Sequence, residues 1–420
     1  MRIVHINKSD AGGGASVAAL RIHRALIRAG VDSSMLVQEK KRSEANEFQA
    51  GNGFLYRMNN FKNFVGERLT ILPYEKESAI RYYFSIANTG RDLSELEVVR
   101  NADIINLHWV NQGFLSLHGL EKLVNLGKPI VWTLHDMWPF TGGCHYAGAC
   151  LEFNEHCGYC PFLRSPSKND LSTSVFNQKK SIYSKANMTI VSCSRWLGTL
   201  ARSSTLFRAN TITSIPNPID TNFYRIHDKS LCRSELGLPL DKKILLFGAA
   251  NLLDARKGLR YLEEALSILK SGFPDLAEKL ALVVFGKLNK DIRERFVFET
   301  HPMEFISNPM TLVKLYNAAD MFILPSLQDN LPNTVVESQC CGTPVVGFGI
   351  GGVPEMIEHN KTGYLAEMKN SLSLANGIYS MLWFNSEEQR QYIREHAISK
   401  FSEQVVAQQY IDVYKKALKV

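Results

Sequence analysis

Residues 320–354 read DMFILPSLQDNLPNTVVESQCCGTPVVGFGIGGVP, and their pattern gives the clearest indication of the fold class. It opens with a short apolar run, residues 321–324, whose length suits a buried strand. A polar turn containing Asp329 follows, then a segment that carries Glu337 and ends at Gly-Thr-Pro before a second apolar run, residues 345–348. The pattern predicts strand, acidic loop, helix and strand. In a parallel α/β sheet, such a loop lies in the ligand crevice at the carboxyl ends of the strands.

Two carboxylates beside such a loop are suited to sugar recognition. Backbone N–H groups at a helix N-terminus favour phosphate, and carboxylate oxygens accept hydrogen bonds from sugar or ribose hydroxyls. The spacing Asp329-x7-Glu337, followed by Cys-Gly-Thr-Pro-Val-Val, resembles the Glu-x7-Glu signature of the group 1 glycosyltransferases, family four of the glycosyltransferase classification. Asp329 stands where that signature has its first Glu. The competing interpretation is an ordinary α/β loop with two solvated acids.

The resemblance implies a fold, a reaction and a donor site. Members of this family have the α/β GT-B fold, with two doubly wound Rossmann-like domains facing across a cleft, and they transfer a sugar from a nucleotide-sugar with retention of configuration. For this chain, the resemblance implies that Glu337 holds the ribose hydroxyls and that Asp329, a predicted catalytic residue, holds the sugar. The predicted donor site also includes the backbone of Asn330, Leu331, Pro332 and Asn333.

Two glycine-containing turns are candidate phosphate sites. Gly12, Gly13 and Gly14 lie between the first predicted strand and helix, where glycine lets a backbone approach a phosphate closely. The resemblance implies that Gly13 contacts the donor and that Gly12 and Gly14 line the cleft. Lys257 precedes a glycine and matches a family lysine on the donor diphosphate, and Arg256 is the predicted substitute for a family arginine that this chain lacks. A common glycine turn and a solvated lysine are the alternatives.

Histidines end two predicted strands of the first half. His108 and His135 both follow apolar runs, and the carboxyl edge of a sheet faces the ligand crevice. Residues 133–136, Thr-Leu-His-Asp, resemble the family's Thr-x-His-Asp, whose histidine contacts the transferred sugar. We therefore predict His135 as a catalytic or donor-positioning residue, and His108 and Asp136 as cleft-lining residues. The alternative is a structural role, which is more common for a lone histidine at a strand end.

Four cysteines, Cys144, Cys150, Cys157 and Cys160, fall within 17 residues. Tetrahedral Zn²⁺ takes four ligands of this kind, so a structural zinc site is the favoured interpretation. The alternatives are an iron–sulfur cluster, four reduced buried thiols, or two disulfides in an oxidising compartment. Residues 138–146, WPFTGGCHY, resemble a branch of the family found in bacterial exopolysaccharide clusters of colanic-acid type, and that branch carries similar cysteines.

The chain of 420 residues is predicted to form two α/β domains. Apolar runs alternate with amphipathic segments in both halves, and the second half has predicted strands at 243–248, 282–286, 304–306, 321–324 and 345–348. Close prolines at positions 216 and 218 indicate the join. We predict an acceptor-binding domain at 1–216 and a nucleotide-sugar domain at 217–402. By resemblance, a helix at 403–420 packs back on the first domain. Residues 42–90 are left unassigned.

The excess positive charge lies in the first half of the chain. Residues 1–216 contain 25 Lys and Arg against 17 Asp and Glu, a net charge of +8, whereas the remainder has 23 against 24, a net charge of −1. This excess favours an anionic partner such as an acidic membrane surface or a lipid diphosphate, with ordinary surface composition as the alternative. The sequence carries no basic-aromatic motif of a nucleic-acid reader, so nucleic acid is not a predicted partner.

The sequence predicts a cytoplasmic protein, peripheral at the inner face of the plasma membrane. No apolar run reaches the roughly 18 residues of a membrane span, and the N-terminal segment reads as a strand rather than a signal peptide. We predict reduced thiols in that compartment.

The predicted reaction is a retaining glycosyl transfer that needs no cofactor or metal for catalysis. The chain contains no Asp-x-Asp triplet of the kind that holds a divalent ion, and Lys257 with helix N-terminal amides would neutralise the leaving diphosphate. The predicted donor is a UDP- or GDP-sugar and the predicted acceptor a saccharide or lipid-linked saccharide. The predicted role is synthesis of bacterial exopolysaccharide, capsule or lipopolysaccharide O-antigen. The alternatives are a GT-B epimerase or phosphorylase, or a non-catalytic scaffold of the same fold.

Overall fold

The computed structural model describes residues 1–42, 44, 46–78, 81–287, 292–303, 306, 308–384 and 386–419. The described strands are β1 (Arg2–Ser9), β2 (Asp32–Glu39), β3 (Glu47–Gln49), β4 (Ile104–Leu107), β5 (Ile130–Leu134), β6 (Met188–Ser192), β7 (Ile212–Ser214), β8 (Lys243–Asn251), β9 (Leu280–Lys287), β10 (Glu299–Met303), β11 (Met321–Leu324), β12 (Val345–Phe348) and β13 (Gly363–Ala366). The described helices are α1 (Gly14–Arg28), α2 (Gly53–Ile71), α3 (Glu97–Arg100), α4 (Leu117–Val124), α5 (Leu171–Tyr183), α6 (Arg195–Ser203), α7 (Lys229–Leu236), α8 (Leu259–Gly272), α9 (Pro309–Ala318), α10 (Asn333–Cys340), α11 (Val353–Met356), α12 (Ser371–Met381), α13 (Glu387–Phe401) and α14 (Glu403–Ala417).

Seven strands form a sheet in the order β3-β2-β1-β4-β5-β6-β7. Each of these neighbouring pairs is parallel. The strand order reverses between β1 and β4, and ligands of open α/β sheets bind beside such a switch point. The segments that follow β1, β4 and β5 carry Gly12, His108 and His135, so the topology brings these predicted residues to one edge of the sheet.

Six strands form a second sheet in the order β10-β9-β8-β11-β12-β13, again with parallel neighbours. Here the order reverses between β8 and β11. Lys257 follows β8 and Asp329 follows β11, so both lie at the switch point of this sheet. The central strands are continuous apolar runs with every residue of β11 and β12 buried, as expected for parallel strands covered on both faces.

The chain divides into two compact units, one containing Met1–Asn217 and Val406–Val420, the other Pro218–Val405. Each unit contains one of the two sheets. Their limits lie close to those of the predicted domains, 1–216 with 403–420, and 217–402.

Helix α14 belongs for the most part to the first unit. Its buried residues pack with apolar side chains of β1, β4 and β5. Both of its buried tyrosines also have polar partners: Asn106 Nδ2 donates to Tyr414 Oη at 2.9 Å, and Tyr410 Oη lies 3.3 Å from Thr133 Oγ1. The core of the first unit is therefore completed by a segment that follows the second unit in sequence.

The stretch 42–90, left unassigned from the sequence, contains β3 and the 19-residue helix α2. This helix buries only Tyr56, Glu67 and Ile71. Its large apolar residues are mostly exposed, with Phe54 at 77% and Phe61 at 69%. Because the apolar residues of α2 do not face the core, its hydrophobic pattern gives no sign of a buried helix face.

The strands predicted in the second half at 321–324 and 345–348 coincide with β11 and β12, and β8 and β9 extend beyond their predicted limits. The strand predicted at 304–306 lies largely outside the described residues, and β10 precedes it.

Among the described helices, none has the length and apolar character that crossing a membrane requires.

Candidate active site

A lysine–carboxylate pair lies at the switch point of the second sheet. Lys257 ends a 3-10 turn that follows β8, and Asp329 lies in the loop after β11. The Lys257 ammonium donates to the Asp329 carboxylate at an Nζ–Oδ2 distance of 2.8 Å. The two side chains are 31% and 17% exposed, so solvent reaches both. The structure thus pairs two residues that were predicted separately, one for the diphosphate and one for the sugar.

The glycine after Lys257 is required by the backbone. Gly258 has a φ of +70°, and a β-carbon built there would lie 1.8 Å from the carbonyl oxygen of Pro325. The N–H of Leu327 donates to the carbonyl oxygen of Arg256 at 2.7 Å. The loops after β8 and β11 therefore approach too closely for any side chain at position 258, and this contact fixes the position of Lys257.

Glu337 lies in α10, and a tyrosine holds its carboxylate. The Tyr316 hydroxyl, from α9, donates to Glu337 Oε2 at 2.9 Å. Both residues are buried. Burial and the neighbouring Glu337 charge raise the pKa of Tyr316 well above its usual value, so its hydroxyl stays a donor at neutral pH. Sequence reasoning missed Tyr316, because a tyrosine in an apolar helix is typical of a core residue and nothing local marks its acidic partner.

The backbone around the start of α10 joins two strand ends. The N–H of Gly352, after β12, donates to the Asn330 carbonyl oxygen at 2.8 Å. Asn330 and Leu331 are buried, and Pro332 immediately precedes the helix, which carries no acidic residue in its first turn. A helix start of this kind has a positive dipole end that favours anions. The roles of Asn330, Leu331, Pro332 and Asn333 in sugar binding stay a prediction.

Arg256 is engaged by a neighbouring carboxylate. Its Nε and Nη2 donate to Asp254 at 3.0 and 2.6 Å, and its backbone N–H donates to the same carboxylate at 3.0 Å. Burial alone would raise the pKa of Asp254, but the Arg256 guanidinium outweighs this effect and holds the pKa below its usual value. A diphosphate would therefore have to compete with Asp254 for this guanidinium.

The glycine loop of the first unit leaves open space in front of α1. A β-carbon built at Gly13 or Gly14 would meet no atom within 4 Å, and neither residue has a positive φ. Gly12 differs, because its φ is +95°. The fold therefore requires glycine at position 12 only, and the glycines at 13 and 14 leave room for a ligand at the helix N-terminus.

Three histidines form a continuous hydrogen-bonded chain in the first unit. His5 Nδ1 lies 2.9 Å from His108 Nε2, and His108 Nδ1 lies 3.0 Å from His135 Nε2. The rings lie edge to edge, with centroids 5.2 and 5.3 Å apart and interplanar angles of 26° and 24°. His135 Nδ1 in turn lies 3.6 Å from Cys193 Sγ. The structure thus brings together the two predicted histidines and adds His5 and Cys193, which the sequence analysis did not single out.

Asn106 sets the direction of these hydrogen bonds. Its Nδ2, which can only donate, lies 3.2 Å from His5 Nδ1, so that nitrogen carries no proton. His108 therefore donates from Nε2 to His5 and accepts at Nδ1 from His135 Nε2–H, which leaves His135 Nδ1 as an acceptor toward Cys193. Burial lowers the pKa of His5 and His108 well below the usual value and that of His135 to about 4. All three rings are thus neutral at neutral pH, as this arrangement requires.

Asp136 is buried in a separate hydrogen-bonded group. Its carboxylate accepts from Trp109 Nε1 at 2.9 Å and from the Trp138 N–H at 2.9 Å, and it lies 2.7 Å from His145 Nδ1. Burial alone would raise the pKa of Asp136, but His145 and these donors outweigh it and hold the pKa below the usual value. The contacts of Asp136 are those of a residue that holds its own loop in place. Its cleft-lining role stays a prediction.

The four clustered cysteines line one small cavity of the first unit. Cys144, Cys157 and Cys160 are buried, Cys150 is half-buried, and all four are free thiols. Within the described ranges, no three potential ligand side chains are already spaced as they would be around a bound metal ion.

Two family models match the chain over successive ranges. Residues 12–223, half of the chain, match Glycosyltransferase Family 4. The chain belongs to glycosyltransferase family 4. Residues 228–400 of this family 4 chain match Glycosyl transferases group 1. These matches confirm the predicted family and the predicted enzyme class, a glycosyltransferase.

Curated relatives of this family 4 chain carry several enzyme names. The chain is 22% identical over 382 residues to N-acetyl-alpha-D-glucosaminyl L-malate synthase of Bacillus anthracis, and the match covers 87% of the chain and 88% of the relative. It is 22% identical over 391 residues to D-inositol 3-phosphate glycosyltransferase of Acidothermus cellulolyticus, covering 88% and 78%. An uncharacterized glycosyltransferase of Methanocaldococcus jannaschii is 29% identical over 198 residues, which are 45% of the chain and 48% of that relative. The match thus spans about half the length of this last relative.

Solved structures share the fold of this family 4 chain. Anabaena HepE in complex with UDP aligns with 99% of the chain and 100% of its own length, at a TM-score of 0.63 and 16% identity. A glycosyltransferase from Rickettsia africae aligns with 100% of the chain and 99% of its own length, at a TM-score of 0.65 and 13% identity. Together with the two parallel sheets, these likenesses confirm the predicted GT-B fold.

Proposed function

We propose that this family 4 chain transfers a sugar from a nucleotide-sugar to a hydroxyl acceptor, with retention of configuration and without a catalytic metal. The observation that carries the proposal is the Lys257–Asp329 pair at the switch point of the second sheet. In this proposal Lys257 binds the donor diphosphate, Glu337 the ribose hydroxyls and Asp329 the sugar. HepE has been crystallised with UDP and with UDP-glucose, which makes a uridine donor the first to test.

The ion pair suits a site that exchanges partners when the donor binds. Departure of the diphosphate needs positive charge where negative charge develops. Lys257 would move from Asp329 to the diphosphate, and the released Asp329 carboxylate would accept hydrogen bonds from sugar hydroxyls. A partly exposed pair of this kind contributes at most about 1 kcal/mol, so a diphosphate can displace it. Arg256 is the second cation of the loop and would have to leave Asp254.

The remaining proposed residues belong to the first unit. The acceptor hydroxyl attacks from the face at which the diphosphate departs, as retention requires. His135 stays the proposed catalytic histidine, and Gly13 the proposed phosphate-contacting residue. The neutral imidazole of His135, held by His108 and Cys193, suits a positioning role better than that of a charged acid.

The donor site is tested by thermal-shift measurements with UDP-, GDP-, ADP-, dTDP- and CMP-sugars. The proteins are the wild type, Lys257→Met, Glu337→Gln and the matched control Lys361→Met, since Lys361 also pairs with a carboxylate on the second unit. When a nucleotide-sugar is present at roughly 100 times its dissociation constant, one nucleotide class should raise the free energy of unfolding of the wild type and of the control by about 2.7 kcal/mol. The two site variants should show little or no such stabilisation. The donor-site proposal fails if no nucleotide-sugar stabilises the wild type, or if all four proteins respond alike.

We further propose that the acceptor is a lipid-linked saccharide at an anionic membrane surface, in the synthesis of bacterial exopolysaccharide, capsule or lipopolysaccharide O-antigen. The support is the exposed face of α2. Phe54, Met58 and Phe61 follow helical spacing and are 77%, 48% and 69% exposed, with exposed Arg57 and Lys62 beside them. An apolar helix stripe beside cations suits the headgroup region of a bilayer. In this proposal the protein is cytoplasmic and binds the inner face of the membrane peripherally.

Vesicle sedimentation tests the membrane surface. The wild type and the control Leu240→Ser, which removes a 61% exposed leucine of the second unit, should sediment with phosphatidylglycerol vesicles and much less with phosphatidylcholine vesicles. The double variant Phe54→Ser/Phe61→Ser should stay in solution. Equal binding by the double variant, or no binding by the wild type, contradicts the membrane proposal without affecting the donor-site result.

The names of the relatives favour a second acceptor class, a small hydroxyl compound. Those names contain L-malate and D-inositol 3-phosphate, two small compounds with hydroxyl groups. A transfer assay with the identified donor should therefore offer lipid-linked saccharides, malate and inositol 3-phosphate, with product mass and anomeric configuration read by mass spectrometry and NMR. An inverted product overturns retention, and a transfer rate that requires added Mg²⁺ or Mn²⁺ overturns metal independence. Donor isomerisation without transfer would favour an epimerase, and binding without any turnover a scaffold.

A further inference from the structure

The cysteine cluster lies in the first unit and shares no residue with the proposed donor site. Cys144, Cys150, Cys157 and Cys160 line a cavity of about 20 Å³. A space of this size holds about one water molecule or one ion and excludes an organic ligand. Most of the other lining residues are apolar, so the sulfur atoms are the main chemical groups available to a bound species.

A backbone hydrogen-bond donor is aimed at a sulfur atom of the C-x2-C turn. The Gly142 N–H donates to Cys157 Sγ at 3.1 Å. Tyr159, between the two cysteines, has a φ of +47°, which marks a tight turn. Backbone donors to sulfur stabilise a thiolate much more than a neutral thiol, which is a weak acceptor. Such outer contacts are typical of metal-bound ligands.

A buried lysine lies beside the cluster. Lys179, in α5, is fully buried, and its Nζ donates to the carbonyl oxygens of Trp138 and Thr141 at 2.5 and 2.9 Å. Over the part of the chain that the structure describes, it forms no ion pair. Thr141 also donates through its Oγ1 to the carbonyl oxygen of Cys144 at 2.6 Å, so the lysine lies beside the cluster. A buried ammonium is costly without opposite charge nearby.

We propose that this cavity binds one Zn²⁺ through the thiolates of Cys144, Cys150, Cys157 and Cys160, as a structural site. Four S–H bonds break, four Zn–S bonds form and four protons leave to solvent. The resulting centre carries a net charge of −2, which Lys179 offsets in part. The thiols must turn toward a common point, because the described side chains are not yet spaced around an ion. This inference is independent of the proposed donor site.

The site would hold in place the loop that follows His135. His145 is adjacent to Cys144, lies 2.7 Å from the Asp136 carboxylate through its Nδ1, and accepts from the Met137 N–H through its carbonyl oxygen at 2.9 Å. Zinc at the cluster therefore fixes His145, and His145 fixes Asp136. Loss of the ion should loosen this loop.

Metal analysis of the purified protein tests the proposal. The protein is expressed in zinc-supplemented medium, purified reduced and without chelator, and assayed by elemental analysis. We expect about one zinc per chain in the wild type and in the control Cys232→Ser, which changes a buried free thiol of α7. Cys157→Ser/Cys160→Ser should contain almost none. Lys179→Met keeps all four ligands and should lose zinc to a chelator faster than the wild type.

The wild type alone decides the question if the double variant does not fold. Co²⁺ added to the metal-free wild type should give the sulfur-to-metal charge-transfer absorption of thiolate ligands. A chelator should lower the melting temperature of the wild type, and zinc should restore it. The proposal is overturned by a reduced wild type that binds neither zinc nor cobalt, by iron in place of zinc, by zinc retained in the double variant, or by an intact mass showing two disulfides.

Discussion

The Tyr316 hydroxyl donates to the buried Glu337 carboxylate at 2.9 Å and helps to hold it in position. We expect Tyr316→Phe to lower the free energy of unfolding by about 1.5–3 kcal/mol, because a charged acceptor loses its donor. Nucleotide binding should weaken as well, since Glu337 loses a contact that orients its carboxylate. The control Tyr183→Phe removes a hydroxyl that donates to the Pro139 carbonyl in the first unit. Urea unfolding and nucleotide titration of both variants check this, and unchanged nucleotide affinity in Tyr316→Phe would count against a ribose role for Glu337.

A substitution at Gly14 should change ligand binding without destabilising the fold. It opens α1, and a β-carbon there meets no atom within 4 Å. Gly14→Ala should leave stability unchanged or raise it by up to about 1 kcal/mol, because alanine is the better helix residue. Transfer activity should fall, since the added methyl group blocks the approach of a ligand. Gly272→Ala is the matched control, in equally open space at the end of α8. Full activity of Gly14→Ala would remove this loop from the site.

The sequence predicts those site residues that belong to one local motif. It does not predict residues whose hydrogen-bond partners are distant along the chain. Lys257, Asp329 and Glu337 were predicted from local spacing and a resemblance. Their roles await experiment, although the structure pairs the first two. Tyr316 is 21 residues from its partner, and His5 is 103 residues from His108. Only the sheet order brings such residues together, and no local pattern encodes that order.

Among the elements, α7, β8 and β11 meet at a buried carboxylate. Asp320, just before β11, is 2% exposed and accepts from Arg233 Nη2 at 2.7 Å, from Lys229 Nζ at 3.0 Å and from the Ile244 N–H at 2.7 Å. We expect Asp320→Asn to cost about 3–5 kcal/mol of unfolding free energy, because two largely buried cations lose their counter-charge.

A surface pair provides the control for Asp320. Glu121→Gln removes a carboxylate that pairs with Lys185, where the two side chains are 35% and 54% exposed. This change should cost less than about 1 kcal/mol. Equal losses in the two variants, measured by urea unfolding, would contradict the burial argument.

The central strands were predictable as elements, whereas β3, β7, β13 and the helix α2 were not assigned from the sequence. The central strands β11 and β12 are short, continuous apolar runs, which are typical of parallel strands covered on both faces. Polar residues or turn residues flank each run, so the sequence also indicates where each strand begins and ends. Helix α2 carries its apolar residues on an exposed face. Because these residues are not buried in the core, reasoning from core burial cannot place the helix.

For the molecule as a whole, the histidine chain predicts an acid-sensitive fold. His5, His108 and His135 are neutral when folded, with the pKa of His135 lowered to about 4 by burial, while an unfolded histidine has a pKa near 6.5. Below about pH 6.5 the unfolded state therefore takes up protons first. The free energy of unfolding should fall as pH decreases from about 6.5 toward 4. Above about pH 6.5 the three histidines make their full contribution to the free energy of unfolding.

Urea unfolding across this pH window checks the prediction. His108→Gln should give a shallower pH dependence than the wild type, because one buried site no longer titrates. His118→Gln, at an exposed position, should keep the wild-type dependence. Identical slopes for the wild type and His108→Gln would assign the acid sensitivity to other groups.

The position of α14 in the chain has a consequence for synthesis on the ribosome. The strands of the first unit are translated early, but the tyrosines that cover them, Tyr410 and Tyr414, are translated after the whole second unit. The second unit can therefore finish folding while the first still exposes an apolar face. A nascent chain that stalls before residue 406 would carry a folded second unit beside an incomplete first one, and that uncovered face is what chaperones and proteases bind.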